Sequence, residues 1–499
     1  MAIEAPARPG SNRRVFWRAF ALISLVTALW SLASPLAAGP DENAHIVKAA
    51  AVVRGDLHGT SAPDNPGSGI VTVPAEYASM MAYPTCFAFK PEVSADCAGP
   101  LLTGEAAEEP TQAPTWVIRN NPAYYAIVGL PTLLPAAPWT IYLMRLISGL
   151  LSSAVLAWAF ATLARLPRRA PLALGLLTAM TPMVIFLNSV VNSSGLEISA
   201  SLALWAGLFA LLRYPDPAQL TRRAAGIAVV TVALANTRGL SLLYVAVIVL
   251  AAVASAPLSS FVATAMDRRT WPWLGLIVAG VGSALWWTFS EQTLAAGGST
   301  HPDLTFLSVA KRTFLESGDY LVTSIGNFGW LDTALPATVK LAFAAVLGLV
   351  VLLALAIASR RDVALLLGVA AMSVVIPVLL HAWQAHAVGY IWTARYSMPL
   401  FVGVPVVAGF IAHRQAEALA AWADRRLVLV AASTLAVVQL LAFAVNLRRY
   451  VFGAPGSWNL LAEGDWSPPV APGILLLLLA GTLAAAVVAA VRWSSPERA

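Results

Sequence analysis

The sequence predicts an all-α polytopic membrane protein of about twelve transmembrane helices, and three observations carry that expectation. Of 499 residues, 59% are hydrophobic and only 11% charged, with a mean hydropathy of +0.73; a soluble domain carries about 25% charged residues. Apolar segments long enough for a crossing, which takes about 20 residues, recur along the chain. Arginines gather in short clusters between those segments. That is the positive-inside pattern, so the net charge of +6 points to no nucleic-acid partner.

The segments are 16–36, 139–164, 170–188, 195–212, 222–236, 239–257, 273–290, 338–358, 363–381, 396–412, 427–446 and 472–491. The first, FALISLVTALWSLA, follows SNRRVFWR and precedes ASPLAAG, which resembles a signal-peptide cleavage region. Its apolar core is long for a secretory signal and many spans follow, so it is expected to stay as a span. Residues 122–136, PAYYAIVGLPTLLPA, carry three prolines and read as an interfacial or re-entrant segment.

With the N-terminus cytoplasmic, the inner segments hold 19 basic and 7 acidic residues, and the outer segments 11 basic and 18 acidic. This bias places both termini inside. The expected organisation is a cytoplasmic tail, 1–15, and one membrane domain, 16–499, in the cytoplasmic (inner) membrane. Three outer segments are long: 38–138, 291–337 and 447–471. Function is expected on that face, because loops on a rigid scaffold carry it. In the first loop, 40–54 reads as a juxtamembrane helix from Pro40. Residues 59–75 read as irregular, 76–90 as containing a short helix, and 105–110 as a solvated turn. No GxxxxGK[ST] string occurs, so no P-loop ATPase or GTPase is encoded.

Cys86 and Cys97 bound CFAFKPEVSADC in the first outer loop. An extracytoplasmic compartment permits a disulfide, which would contribute roughly 2–3 kcal/mol to local order. Two sulfurs without suitably spaced histidines do not make a zinc site.

The candidate site begins at Asp41. In a helix from Pro40, Asp41, His45 and Lys48 share a face, with Glu42 beside His45. An acid at a helix start is held ionised by the dipole and the free amides, ready to accept a proton or bind a cation; plain helix capping is the competing reading. Cationic candidates are Arg145, about six residues inside the second span, Arg238 in the turn ANTRGL, and Arg395 opening the tenth span beside Tyr396. Ionisable groups at membrane depth are functional candidates, and a guanidinium fork suits phosphate oxygens. The competing roles are a snorkelling arginine for Arg145 and a structural partner for Glu197 or Asp332. Trp116, Tyr124, Tyr125, Trp286, Trp287, Trp330, Trp383, Tyr390 and Trp392 read mainly as an interfacial aromatic belt, with Trp330, near Asp332, a candidate sugar-stacking residue. His381 and His386, in HAWQAHAVGYIW, read as loop residues outside any metal site. Arg448 and Arg449 read as a solvated pair or as a contact for lipid phosphate or acceptor.

An acidic residue just after the first span resembles the GT-C superfamily of integral-membrane glycosyltransferases. The string GPDENAH resembles a bacterial multispanning family of unknown function with a Pro-Asp-Glu-x-x-His element, grouped with GT-C; NSSGLE at 192–197, GNFGWLD at 326–332 and RYSMPL at 395–400 match it in order. The resemblance implies a GT-C-like fold and a polyprenyl-phosphate-linked sugar donor. It implies a glycan or glycolipid acceptor on the outer face, with the lipid bilayer around the protein. It places Asp41 at the catalytic acid position. The assignment that follows is Asp41 as base with Glu42 as helper, and Arg145, Arg238, Arg395 and Lys48 at the donor phosphate. His45, Tyr396, Trp330 and Asp332 are expected at the substrate. Inversion needs only one carboxylate, because the lipid phosphate leaves as an anion. No cofactor is certain; a divalent cation is optional, held weakly by Asp41 with Glu42. The rival reading is a transporter or flippase of lipid-linked glycan.

Overall fold

A computed structural model describes residues 11–62, 65–294, 301–414 and 421–495; the tail through residue 10, residues 63–64 of the first long loop, 295–300 of the second, 415–420 and 496–499 lie outside the described residues. Each of the twelve predicted segments is helical. Nine helices among the described residues are long and apolar enough to cross a membrane, and two bent pairs make eleven if each is one span. The nine are α1 (Ser11–Leu32), α6 (Pro138–Leu163), α9 (Ser193–Arg213), α13 (Trp271–Ser290), α15 (Ala337–Ile357), α16 (Arg360–Val388), the joined α17 (Ala394–Phe401) and α18 (Gly403–Arg414), α19 (Ala421–Phe452) and α20 (Pro472–Ser494). The bent pairs are α7 (Ala170–Ala179) with α8 (Pro182–Asn188), at 61°, and α11 (Ser241–Ser255) with α12 (Leu258–Met266), at 115°. The remaining segment, α10 (Leu220–Ala235), has 16 residues, about 24 Å of helix against roughly 30 Å of hydrocarbon.

The chain is an all-α polytopic membrane protein with α9 and α17–α18 at its centre. In each of these two spans 94% of the apolar stretch is buried, against 11% in the span containing α13. Peripheral helices instead expose Leu250, Val278, Phe289, Leu341 and Leu477, as a lipid-facing surface does. Without water to drive helices together, small residues set their approach. On α7 and α18, a methyl group at Gly175 would lie 2.6 Å from the Pro405 oxygen, and one at Gly409 2.7 Å from the Pro171 oxygen. Gly409→Val is therefore expected to destabilise the fold by about 1–3 kcal/mol, seen as a lower melting temperature in detergent. Gly348→Val, where nothing lies within 4 Å, is the control expected to cause no such drop.

The α7–α8 break frees backbone groups that lipid cannot satisfy. The Met183 N–H donates to the Ile325 oxygen at 3.0 Å, and the Thr181 hydroxyl to the Ser324 oxygen at 2.8 Å. The second long loop thus closes the broken span.

The first long loop is more ordered than its Gly/Pro content suggests. Helix α2 (Glu42–Val52) is followed by strands β1 (Thr60–Ala62) and β2 (Asn65–Pro74); then come α3 (Ala75–Ser79), α4 (Glu105–Glu108), β3 (Pro110–Thr115) and α5 (Pro122–Val128). Within 59–75, residues 60–62 and 65–74 are thus strand rather than irregular: β2 pairs antiparallel with β1 and with β3. Val71 and Val73 are buried while Thr72 is exposed, the period-two signature of a half-buried strand. Residues 105–110 are a short helix and strand start, and Glu108 accepts from the Ala136 amide at 2.5 Å. Cys86 and Cys97 are disulfide-bonded. His381 and His386 lie within α16, not in a loop; the helix meets no breaker after Pro377 until Gly389, whose φ of 74° ends it.

Candidate functional site

Asp41 does not start the helix. The chain adopts a left-handed conformation there, φ 61° and ψ 9°, and the side chain makes no capping bond to α2. Aspartate tolerates this region better than most residues. Glu42 reaches back instead, accepting from the Gly39 amide at 3.0 Å. The Asp41 carboxylate therefore points into tertiary structure. Oδ2 accepts from the Arg395 guanidinium at 2.5 Å and Oδ1 from the Trp116 indole at 3.1 Å. The side chain keeps 26% exposure. Burial works to raise its pKa, but Arg395, followed by His45 and Arg238, more than offsets this, and the carboxyl titrates below its ordinary range.

Three segments deliver this cluster. Strand β3 ends at Thr115, whose hydroxyl donates to the Ala44 oxygen of α2 at 2.9 Å, and the next residue is Trp116. Helix α17 carries Arg395 and Tyr396 in its first turn. The α10–α11 turn brings Arg238, and the Asn121 amide donates to Asn236 at 3.0 Å, tying that turn to the first loop. Arg395 also donates to the Tyr396 hydroxyl at 2.9 Å and to the Pro40 oxygen at 3.3 Å. The Arg238 and Arg395 guanidinium carbons lie 4.8 and 4.9 Å from the Tyr396 ring centroid. Arg238 donates to Ser194 at 2.7 Å. Glu197, buried one turn farther along α9, accepts from Ser241 at 2.5 Å. The result is two guanidiniums around one phenol, with a partly exposed carboxylate beside them.

Other expected site residues have different work. Arg145 is fully buried and its five N–H groups are committed: to both Glu42 oxygens at 2.7 Å, and to the carbonyls of Ser31, Ser34 and Pro35 at 2.9, 2.9 and 2.5 Å. It neither snorkels nor keeps a donor for phosphate. Glu42 is equally occupied, adding the Val191 amide at 2.9 Å, so it is a scaffold acid rather than a second base. The Asp41 and Glu42 carboxylates diverge to different arginines and do not form a joint cation site. Among the described residues no group of three His, Cys, Asp or Glu side chains stands close enough to hold a metal.

His45 stands within electrostatic reach of Asp41, Arg238 and Arg395, and with Lys48 it forms a second, buried group beside the cluster. The two side chains meet at Tyr125. The His45 ring meets the Tyr125 hydroxyl at 2.7 Å, and the Lys48 ammonium lies 4.9 Å from the Tyr125 ring centroid while donating to the Ile118 and Asn120 carbonyls. Burial pulls His45 down to about 3 and Lys48 down to about 7. The unfolded chain therefore holds protons that the folded chain has released, on His45 between about 3 and 6.5 and on Lys48 between about 7 and 10.5. Stability rises with pH across both windows. Lys48→Met is expected to lose the rise above pH 7 and keep the one below 6.5 in pH-resolved thermal unfolding; retention of both would refute it.

Asp332 is an anchor. Its Oδ2 accepts from Arg449 at 3.2 Å and from the Phe89 amide at 3.0 Å. Buried Arg449, rather than forming a solvated pair with Arg448, also gathers the carbonyls of Phe87, Lys90 and Val93 at 2.7, 3.1 and 2.6 Å. The disulfide loop is thereby fastened to α19. Trp330 is half-buried and donates to the Ala37 oxygen at 3.1 Å, supporting the turn before Asp41. Gly329, φ 63°, opens the turn between Phe328 and Thr333, where a Cβ would strike Asp332. Four of the six described non-glycine residues with positive φ surround this region: Ala37, Asp41, Phe89 and Leu331. For a side chain such as Phe, this conformation costs about 1–2 kcal/mol, and such strain concentrates at functional sites.

Trp116 and Ser194 are site residues that sequence reasoning did not single out. Ser194 lay within the quoted NSSGLE string, whereas Trp116 carried no local signal beyond being one aromatic among many. No curated protein and no solved structure matches the chain. Residues 24–404, from α1 through the start of α18 and including every residue of the Asp41 cluster, match the family described as "Predicted membrane protein (DUF2142)", and the chain belongs to that family.

Proposed function

We propose that the protein is a glycosyltransferase that moves a sugar from a polyprenyl-phosphate carrier to a glycan or glycolipid of the cell envelope. Its active site would face outward from the cytoplasmic membrane. The observation that carries this reading is the Asp41 carboxylate, unused in capping, ionised and partly open, 2.5 Å from Arg395 with Arg238 across the Tyr396 ring. The acceptor oxygen attacks the anomeric carbon, and Asp41 takes its proton. The bond from that carbon to the phosphate oxygen breaks, and the polyprenyl phosphate leaves with the electron pair, stabilised by Arg395 and Arg238. Inversion follows from the single displacement. Arg395 has a dual part. A donor phosphate draws its N–H groups away from Asp41, and the carboxylate then becomes a stronger base where a proton must be accepted. The resemblance to GT-C enzymes supports the same assignment.

Transport of a lipid-linked glycan is favoured by one observation, the broken α7–α8 span, a device of transporters. Here Ser324 and Ile325 satisfy the break, which gives it a packing role. Purified protein in vesicles, given a labelled polyprenyl-phosphate sugar and an envelope glycan, is expected to transfer label without an ion gradient. Gradient-dependent movement of intact donor, with no bond cleaved, would replace the enzyme with a transporter.

A further inference from the structure

We infer that Phe89 and Trp330 form a stacking platform for a sugar ring of the acceptor glycan, presented beside the Asp41 loop by the disulfide loop. The inference rests on the glycosyltransferase reading and extends it to a subsite.

Within CFAFKPEVSADC the two phenylalanines part company. Phe87 is buried and meets Tyr450 edge-on at 5.8 Å. Phe89 is 70% exposed and holds φ 61°. A bulky residue in the left-handed region persists only when its surroundings over-determine it, and here they do. The Phe89 amide is held by Asp332 at 3.0 Å, and Arg449 takes the carbonyls of Phe87 and Lys90 on either side. The Cys86–Cys97 bond closes the loop around them. All of these contacts fix the backbone, and their outcome is an aromatic ring displayed to solvent.

That ring meets Trp330 edge-on at 5.6 Å. The Trp330 indole is bonded to the Ala37 carbonyl, four residues before Asp41. On the far side of the same turn Trp116, 41% exposed, is bonded to the Asp41 carboxylate itself. Aromatic side chains from two loops are therefore bonded to the segment that carries Asp41, Trp330 at Ala37 and Trp116 at Asp41. An interfacial belt needs rings at headgroup level, but nothing in that role calls for a left-handed phenylalanine locked by a buried ion pair. A pyranose or furanose offers apolar C–H patches rimmed by hydroxyls. An aromatic face beside polar backbone groups complements it, and a ring seated there is held on the same loop that carries Asp41, through the Trp330 bond to Ala37.

The test is glycan binding by the full-length protein in lipid nanodiscs, with the disulfide intact, measured by calorimetric titration of soluble tetrasaccharides of glucose, galactose, mannose and arabinose. Phe89→Gly relieves the backbone conformation, so it is expected to melt at or above the wild-type temperature while its affinity for the bound tetrasaccharide falls about three- to tenfold. Phe89→Tyr is expected to bind as wild type does. A purely structural Phe89 would instead show lower melting and unchanged affinity. Equal binding by wild type and Phe89→Gly, equal loss in Phe89→Tyr, or no binding of any tetrasaccharide by wild type overturns the inference. Binding needs no catalysis. Absence of transfer by wild type therefore removes the glycosyltransferase reading and still leaves this experiment to decide the subsite.

Discussion

Asp41→Asn is expected to lower sugar transfer by about 10²–10⁴-fold, the range for loss of a positioned general base, with a far smaller effect on melting. The substitution is nearly isosteric, and asparagine accepts the left-handed backbone as readily as aspartate. It keeps an oxygen for the Trp116 indole and removes the charge. The matched variant is Arg395→Lys. An ammonium cannot present the planar fork that now reaches Asp41, Tyr396 and the Pro40 carbonyl together, so the KM for the lipid donor is expected to rise. The pH profile separates the two roles. In the free protein Arg395 holds Asp41 below the ordinary carboxylate range. Once the donor phosphate claims Arg395, that restraint weakens. The acid limb of kcat should therefore lie at higher pH than that of kcat/KM. Transfer at the wild-type rate by Asp41→Asn membranes would end the assignment.

The second large effect is on folding. Glu42→Gln or Arg145→Leu is expected to destabilise the protein by about 3–5 kcal/mol, because each leaves an uncompensated buried charge or orphaned polar groups. Replacing both with leucine is often neutral for buried pairs. Here it is expected to remain costly. Arg145 also satisfies three carbonyls between Ser31 and Pro35, and Glu42 satisfies the Gly39 and Val191 amides. Thermal unfolding of the two single variants and the double variant decides this. A double variant as stable as wild type would show that the pair does not hold the loop between α1 and α2.

These two predictions divide adjacent acids by surroundings that no string shows. GPDENAH marks where chemistry is expected, and Asp41 and Glu42 look interchangeable within it. Their separation follows from one backbone dihedral. The left-handed turn at Asp41 starts the helix two residues late, at Glu42, and sends the two carboxylates to different arginines. The same turn takes the Asp41 side chain to Arg395 and Trp116, while His45 and Lys48 meet at Tyr125, a division that spacing along an assumed helix does not show. Arg145, Arg238 and Arg395 were likewise equivalent as cations near span ends. Only packing shows that Arg145 spends all its donors on the loop that holds Asp41, while the other two flank Tyr396. Arg449, which looked solvated in NLRRY, is buried because the disulfide loop folds over it.

The sequence by itself determined the membrane class, the apolar segments that became helices and the pairing of Cys86 with Cys97. These depend on local composition, on period and on loop closure, all written along the chain. The tertiary structure decided which charges remain open to a ligand, the strand order within the first loop and the company Asp41 keeps. Those depend on contacts between residues hundreds of positions apart, such as Asp41 with Arg395 and Asp332 with Phe89. Burial of a charge is a property of everything around it, and that surrounding exists only once the helices have packed.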